Sequence, residues 1–183
     1  NNFHHEVENG RFAAKKKLYY EKFKRAKLIY HISFGKGEKE NLKFNDNLKI
    51  LYNKRGIHSL IYAVIMPFLY YKQLKCCDVY EGRQMSSAAY PIFCKLFVNR
   101  PLVLHCGYDW LEFAERENKF CYTFFVRLWC FIACKTADAV IVTSERHKKR
   151  VESITRKNNA YLLRNAVDTD IFKPLHFTRN ANT

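Results

Sequence analysis

A strand, a helix and a second strand follow one another between Lys135 and Pro174, and this order limits the fold more than any other feature of the chain. Residues 139–143, Ala-Val-Ile-Val-Thr, form a β-branched run with no polar interruption, which suits a strand buried on both faces. Ser144 is a good N-cap, and a basic helix follows it at once. Residues 160–163, Ala-Tyr-Leu-Leu, form a second apolar strand that ends at the turn formers Asn165 and Asp168. Strand, helix and strand at this spacing make a βαβ unit. Such units build parallel sheets whose ligands meet the carboxyl ends of the strands.

The rest of the chain alternates in the same way. Helices are expected over residues 11–27, 57–74 (kinked at Pro67), 85–97 and 119–135. Strands are expected over 28–34, 48–52, 76–80 and 101–106, with polar loops at 35–47, 81–84 and 107–118. The fold class is therefore α/β, a Rossmann-like parallel sheet with helices on both faces and right-handed crossovers. At 183 residues the chain suits one domain.

Charge and cysteine usage narrow the setting. Lys+Arg number 32 against 17 Asp+Glu, a formal +15, so an anionic partner is expected: nucleic acid, acidic lipid or a phosphorylated substrate. No helix-turn-helix, zinc-finger or RNP signature supports nucleic acid. The basic run at 146–150, with the lysines between 15 and 24, makes an anionic membrane surface the better partner. Seven cysteines, an odd number mostly in apolar runs and without zinc spacing, read as reduced, buried thiols of a cytoplasmic protein that holds no metal. Residues 59–71 and 120–134 are apolar but fall short of the roughly 20 residues a membrane span needs, so both read as core helices.

The strand ends nominate the site. The loop after residues 76–80 offers Glu81, Arg83 and Gln84, and the loop after 101–106 offers Gly107, Tyr108, Asp109 and Trp110. The next two strand ends offer Ser144 with Glu145, then Arg164 with Asn165. Asp109 suits an acceptor hydroxyl or a turn. Tyr108 and Trp110 suit stacking on a sugar ring or anchoring of the loop. Arg83 suits a phosphate or an ion pair with Glu81. His105 suits either a structural or a catalytic role.

These residues resemble a known family. Residues 137–144, Ala-Asp-Ala-Val-Ile-Val-Thr-Ser, are similar to a strand end of retaining glycosyltransferases of family 4, which have the GT-B fold. Asn165, Val167, Asp168, Phe172 and Pro174 match a second signature of that family, with Arg164 in place of its usual Pro and Ala166 in place of its usual Gly. Gly107-Tyr108-Asp109-Trp110 is similar to a loop found in a subset of its members. The resemblance is best from about residue 48 to residue 174. It implies that residues 1–164 are the acceptor-side domain and 165–183 the hinge toward a donor domain. Arg83, Gln84, Gly107, Tyr108, Asp109 and Trp110 would then contact a sugar or lipid-linked acceptor. Ser144, Glu145, Asn165 and Asp168 would shape the cleft and hinge. Asp109 is the one candidate for chemistry. The nucleotide-sugar donor would bind the second domain without a metal, and this half would hold no cofactor. The resemblance also implies a further first strand, inactivity of this chain by itself, and residence at the inner face of the cell membrane.

Overall fold

The computed structural model describes residue 24 and residues 26–36 and 47–165. Most of the expected helix at 11–27, most of the loop at 35–47, and Asp168 lie outside the described residues. Within them, strand β1 (Ile29–Lys36) pairs in parallel with β2 (Leu48–Asn53) as a separate two-stranded sheet. Helices α1 (Ser59–Leu69) and α2 (Tyr71–Lys75) lead to a four-stranded parallel sheet of β3 (Tyr80–Arg83), β4 (Leu102–Cys106), β5 (Ala139–Val142) and β6 (Ala160–Leu162), in that order. A 3₁₀ turn (Met85–Ser87) and α3 (Ala89–Val98) join β3 to β4. Helices α4 (Trp110–Arg116) and α5 (Phe120–Thr136) join β4 to β5, and α6 (Glu145–Thr155) joins β5 to β6.

The α/β class and the parallel pairing match the sequence expectation. One of the two expected helical layers lies within the described residues. Each crossover from β3 to β6 advances in the same direction across the sheet. Right-handed crossovers that advance one way place their helices on one face. Leu102, Leu104, Cys106, Val140, Val142 and Ala160 point to that face and share a single core with side chains of α1, α3, α4, α5 and α6. Among the described residues, the helices line this face alone. Residues 139–142 are accordingly buried on alternate positions rather than on both faces.

Three local expectations are corrected. The third strand starts at Tyr80, because Cys76 and Cys77 close the end of α2 with N–H bonds to Gln73 O and Leu74 O. Glu81, Gly82 and Arg83 are then strand and not loop. The 57–74 helix breaks at Tyr70 (φ −114°) rather than at Pro67, which stays inside α1. Residues 107–118 are not all loop, since they contain α4.

Short polar devices hold the layers together. Asp138 accepts hydrogen bonds from the Leu102 N–H (2.7 Å) and from Lys95, tying β4 and α3 to the start of β5. Burial works against its charge, but these donors outweigh it and hold the carboxyl below its usual range. Asn159 is buried and donates to Ala137 O at 3.0 Å, while its own carbonyl accepts from Val140 N–H. These bonds set the register of β5 against β6.

Candidate functional site

The carboxyl ends of β3, β4 and β5 form a small polar rim. Gln84 follows β3 in the left-handed region (φ 68°), a strained conformation for a residue with a side chain. Its N–H bonds His105 O at 2.7 Å, and its side chain lies over Gly107, where a Cβ would stand 3.1 Å from Gln84 Nε2. Thr143 Oγ1 donates to Gly107 O at 3.3 Å and joins the β5 end to the same point. Ser144 caps α6 by accepting from His147 N–H at 3.2 Å, as the sequence predicts. Glu145 sits exposed in the first turn of that helix. Leu163 N–H bonds Val142 O, so the chain leaves β6 beside this rim with Arg164 and Asn165 exposed.

Below the rim is a charged cluster that sequence reading only half resolves. Asp109 caps α4, its Oδ1 accepting from Glu112 N–H at 3.1 Å. Its Oδ2 faces Arg150 Nε at 3.1 Å in an ion pair off the hydrogen-bond line. Arg150 Nη1 reaches Glu115 at 2.8 Å, and Glu115 also pairs with Arg127 at 3.2 Å. Hydrogen bonding from Arg150 holds the Glu115 carboxyl below its usual range. Burial opposes the Arg150 charge, yet Glu115 and Asp109 more than offset it and raise its pKa. Arg146 pairs with Glu112, and Lys148 with Glu152. Within the basic run at 146–150, Arg146, Lys148 and Arg150 thus meet carboxylates across α4 and within α6, while Lys149 is exposed.

The aromatic members of the loop divide. Trp110 donates to Tyr122 Oη at 3.0 Å and packs on the core, so it anchors α4. Tyr108 meets Phe113 edge-on at 5.7 Å and stays partly exposed beside the rim. Tyr108, Asp109, Trp110, His147 and Arg150 line a shallow pocket of about 280 Å³ counted out to open solvent. Its enclosed part has room for about one water, so it cannot hold a sugar in this conformation. Cys130 and Cys134 line it. Burial raises both thiols, that of Cys130 to about 12, which makes them inert packing groups. Among the described residues no cluster of His, Cys, Asp and Glu could hold a metal.

A further pair was missed in the sequence. Glu81 Oε1 lies 3.4 Å from His105 Nε2 and 3.2 Å from Arg83 Nε, on the sheet face opposite the core. Arg83 thus takes the ion-pair alternative, and His105 has a carboxylate partner. The parallel register aligning Arg83 with His105 brings them together, and only the strand pairing reveals it.

His147 gives a pH prediction. Burial lowers its pKa, with Asp109 pulling the other way, and its Nδ1 is buried without a hydrogen-bond partner. Above the ordinary value of 6.5 it is neutral in both folded and unfolded chains. As the pH falls below 6.5, the unfolded chain takes the proton first, and stability drops until the folded site protonates too. Thermal melts between about pH 7 and pH 5 should show this loss, and His147→Gln should flatten it. An equal slope in both proteins would place the titration elsewhere.

No family model matches the chain, and no curated protein matches it.

Proposed function

We propose that this chain is the acceptor-side domain of a retaining GT-B glycosyltransferase of family 4 type. It would serve the transfer of a hexose from a nucleotide sugar to a glycan or lipid-linked hydroxyl. The observation that carries the reading is the rim itself. Gln84, Gly107 and Thr143 converge from three parallel strand ends beside the Ser144-capped helix, at the edge where Asn165 leaves the sheet. Strand ends of this kind are where open parallel sheets take ligands. Gln84 supplies a donor and an acceptor for sugar hydroxyls, Tyr108 an apolar ring face, and the start of α6 a partial positive charge.

Asp109 has a different part in this reading. With one oxygen capping α4 and the other against Arg150, it positions the loop that carries Tyr108. The reading assigns the donor to a second domain, so hexose transfer is expected from the full enzyme and not from residues 1–183 alone. Transfer of labelled hexose from a panel of nucleotide sugars by the whole reading frame tests it. Turnover by residues 1–183 alone would overturn it. Nucleic-acid binding has less support, since Arg146, Lys148 and Arg150 of the basic run at 146–150 already face carboxylates.

The rim makes its own prediction. A Cβ at Gly107 meets only the far end of the Gln84 side chain, which can swing away. Gly107→Ala should therefore change stability by less than about 1 kcal/mol. Displacing Gln84 should raise the acceptor KM of the full enzyme about three- to tenfold, the worth of one hydrogen bond. An unchanged KM would remove both residues from the acceptor site.

A further inference from the structure

Helices on the surface of a domain normally turn an apolar stripe to the core and a polar one to water. Helices α1, α3 and α5 are apolar on both sides. On α5, Val126, Cys130, Ala133 and Cys134 face the core. The opposite side carries Phe124, Phe125, Leu128, Phe131 and Ile132, between 39% and 62% exposed. On α1, Tyr62, Ala63 and Met66 are buried, while Ile61, Val64, Ile65, Phe68 and Leu69 point outward. On α3 the outward residues are Leu96 and Phe97. The Phe68 and Phe97 rings meet at 4.3 Å, so the surface is continuous from α1 to α3, and α3 packs in turn on α5. At 150–250 Å² for a whole aromatic side chain, these half-exposed residues present on the order of 1,000 Å² of apolar surface. Monomers in water rarely expose more than roughly 300–600 Å² in one patch.

The three helices themselves carry only basic charge, and the acidic residues beside α5, Glu115 and Glu117, are paired with its Arg127 and with Lys119. No Asp or Glu occurs in residues 59–77, 82–108 or 118–137, which contain all three helices. The helices run back from the rim, so their carboxyl ends gather at the far end of the sheet. There Arg100 donates to Lys75 O and Lys157 to Lys135 O, and Lys72 is exposed nearby on α2. Among the described residues, the acidic ones toward this end are Asp78, Asp138, held by Lys95, and Glu152 in the last turn of α6, near Lys148. A second copy of the chain would bring the same +15 to the contact. A bilayer with acidic headgroups offers both an apolar interior and negative charge.

We propose that the outer surface of α1, α3 and α5 docks on an anionic lipid bilayer. The apolar side chains enter to interfacial depth and the basic collar meets the headgroups. No helix of the described residues is long and apolar enough to cross a membrane, so the contact is one of lying on the surface. The rim, at the opposite end of the sheet from the collar, stays open. This inference rests on the helical layer alone and holds whether or not the rim binds an acceptor.

The test is cosedimentation of the full chain with vesicles of equal parts phosphatidylcholine and phosphatidylglycerol, and with phosphatidylcholine alone. The chain should bind the mixed vesicles and prefer them to the neutral ones. Phe124→Asp with Leu128→Asp should lower the partition roughly a hundredfold, from the apolar area withdrawn. Both side chains are exposed, so the fold, followed by circular dichroism, should hold. Lys72→Glu with Lys75→Glu should lower it about tenfold or more, and only on the mixed vesicles. Equal partition onto both vesicle types would overturn the anionic assignment. No binding, or equal binding by the aspartate variant, would overturn the docking face. Sedimentation velocity supplies the remaining outcome: a dimer that the aspartate variant dissociates would assign the face to a second copy instead.

Discussion

Arg150→Met is expected to destabilise the domain by about 2–3 kcal/mol, toward the low end of the cost of breaking a buried pair because the side chain keeps a fifth of its surface in water. Two carboxylates depend on it. Asp109, whose side chain is only 10% exposed, would be left charged and unpaired. Glu115 would keep Arg127 at 3.2 Å, so most of the cost falls on Asp109. The cost should be readable from chemical denaturation at neutral pH. A second readout separates this mechanism from simple loss of packing. Arg150 is one of the charges that lower the His147 pKa, and Asp109 raises it. Removing Arg150 should therefore let the His147 pKa rise, and the loss of stability below 6.5 should shrink. A variant that is destabilised with the same pH slope as the parent would have lost packing alone.

The companion substitutions at Asp109 distinguish positioning from chemistry. Asp109→Asn keeps an oxygen for the Glu112 N–H, and Asn is as good an N-cap as Asp. Asp109→Ala loses that bond as well and should cost about 1 kcal/mol more. In the Asn variant combined with Arg150→Met, the cost should fall below the sum of the singles, because the unpaired charge is gone. If Asp109 only positions the loop, the Asn variant of the full enzyme retains transfer. Loss of transfer with an unchanged melting temperature would return Asp109 to the chemistry.

What sequence reading could reach follows from the range of each interaction. The β5–α6–β6 unit was legible because its signals are local: a β-branched run, a cap, and a second apolar run. Helix α4 was equally legible in principle. Asp109 followed three residues later by Glu112 is a capping-box spacing, but Gly107 and the aromatics beside it have the composition of a loop. The bounds of β3 are not legible, because its buried positions are Tyr80 and Gly82 and a glycine carries no hydrophobic signal. The Glu81–His105 and Arg150–Asp109 pairs join residues far apart in the chain, and no periodicity encodes them. The outward apolar faces of α1 and α5 are a different kind of miss. Residues 59–71 and 120–134 read as core because they are apolar all round. Periodicity cannot tell a helix buried in protein from one that meets another apolar medium.

Gly82 is the position where the fold should be least tolerant. It lies buried in β3 opposite Leu104 of β4 and beneath Pro91 of α3. A Cβ there would stand 2.6 Å from Leu104 Cδ2 and 3.0 Å from Pro91 Cγ. The leucine is 1% exposed and has little room to turn, and the proline ring cannot rotate away. Gly82→Ala should therefore cost about 1–3 kcal/mol despite the gain in strand propensity, and Gly82→Val more than about 3 kcal/mol. The mechanism is overpacking, so it predicts its own relief. Leu104→Ala alone should cost about 2–5 kcal/mol by opening a cavity. Combined with Gly82→Ala, the new methyl fills part of that cavity and the clash with Cδ2 disappears. The double variant should thus be at least about 1 kcal/mol more stable than the two costs added together. Strict additivity in denaturant melts would mean that the contact with Pro91, and not the packing of β3 on β4, sets the limit. That result would shift the close approach from the sheet to the helix above it, the helix that carries Tyr90 to its hydrogen bond with Glu81 O at 3.1 Å.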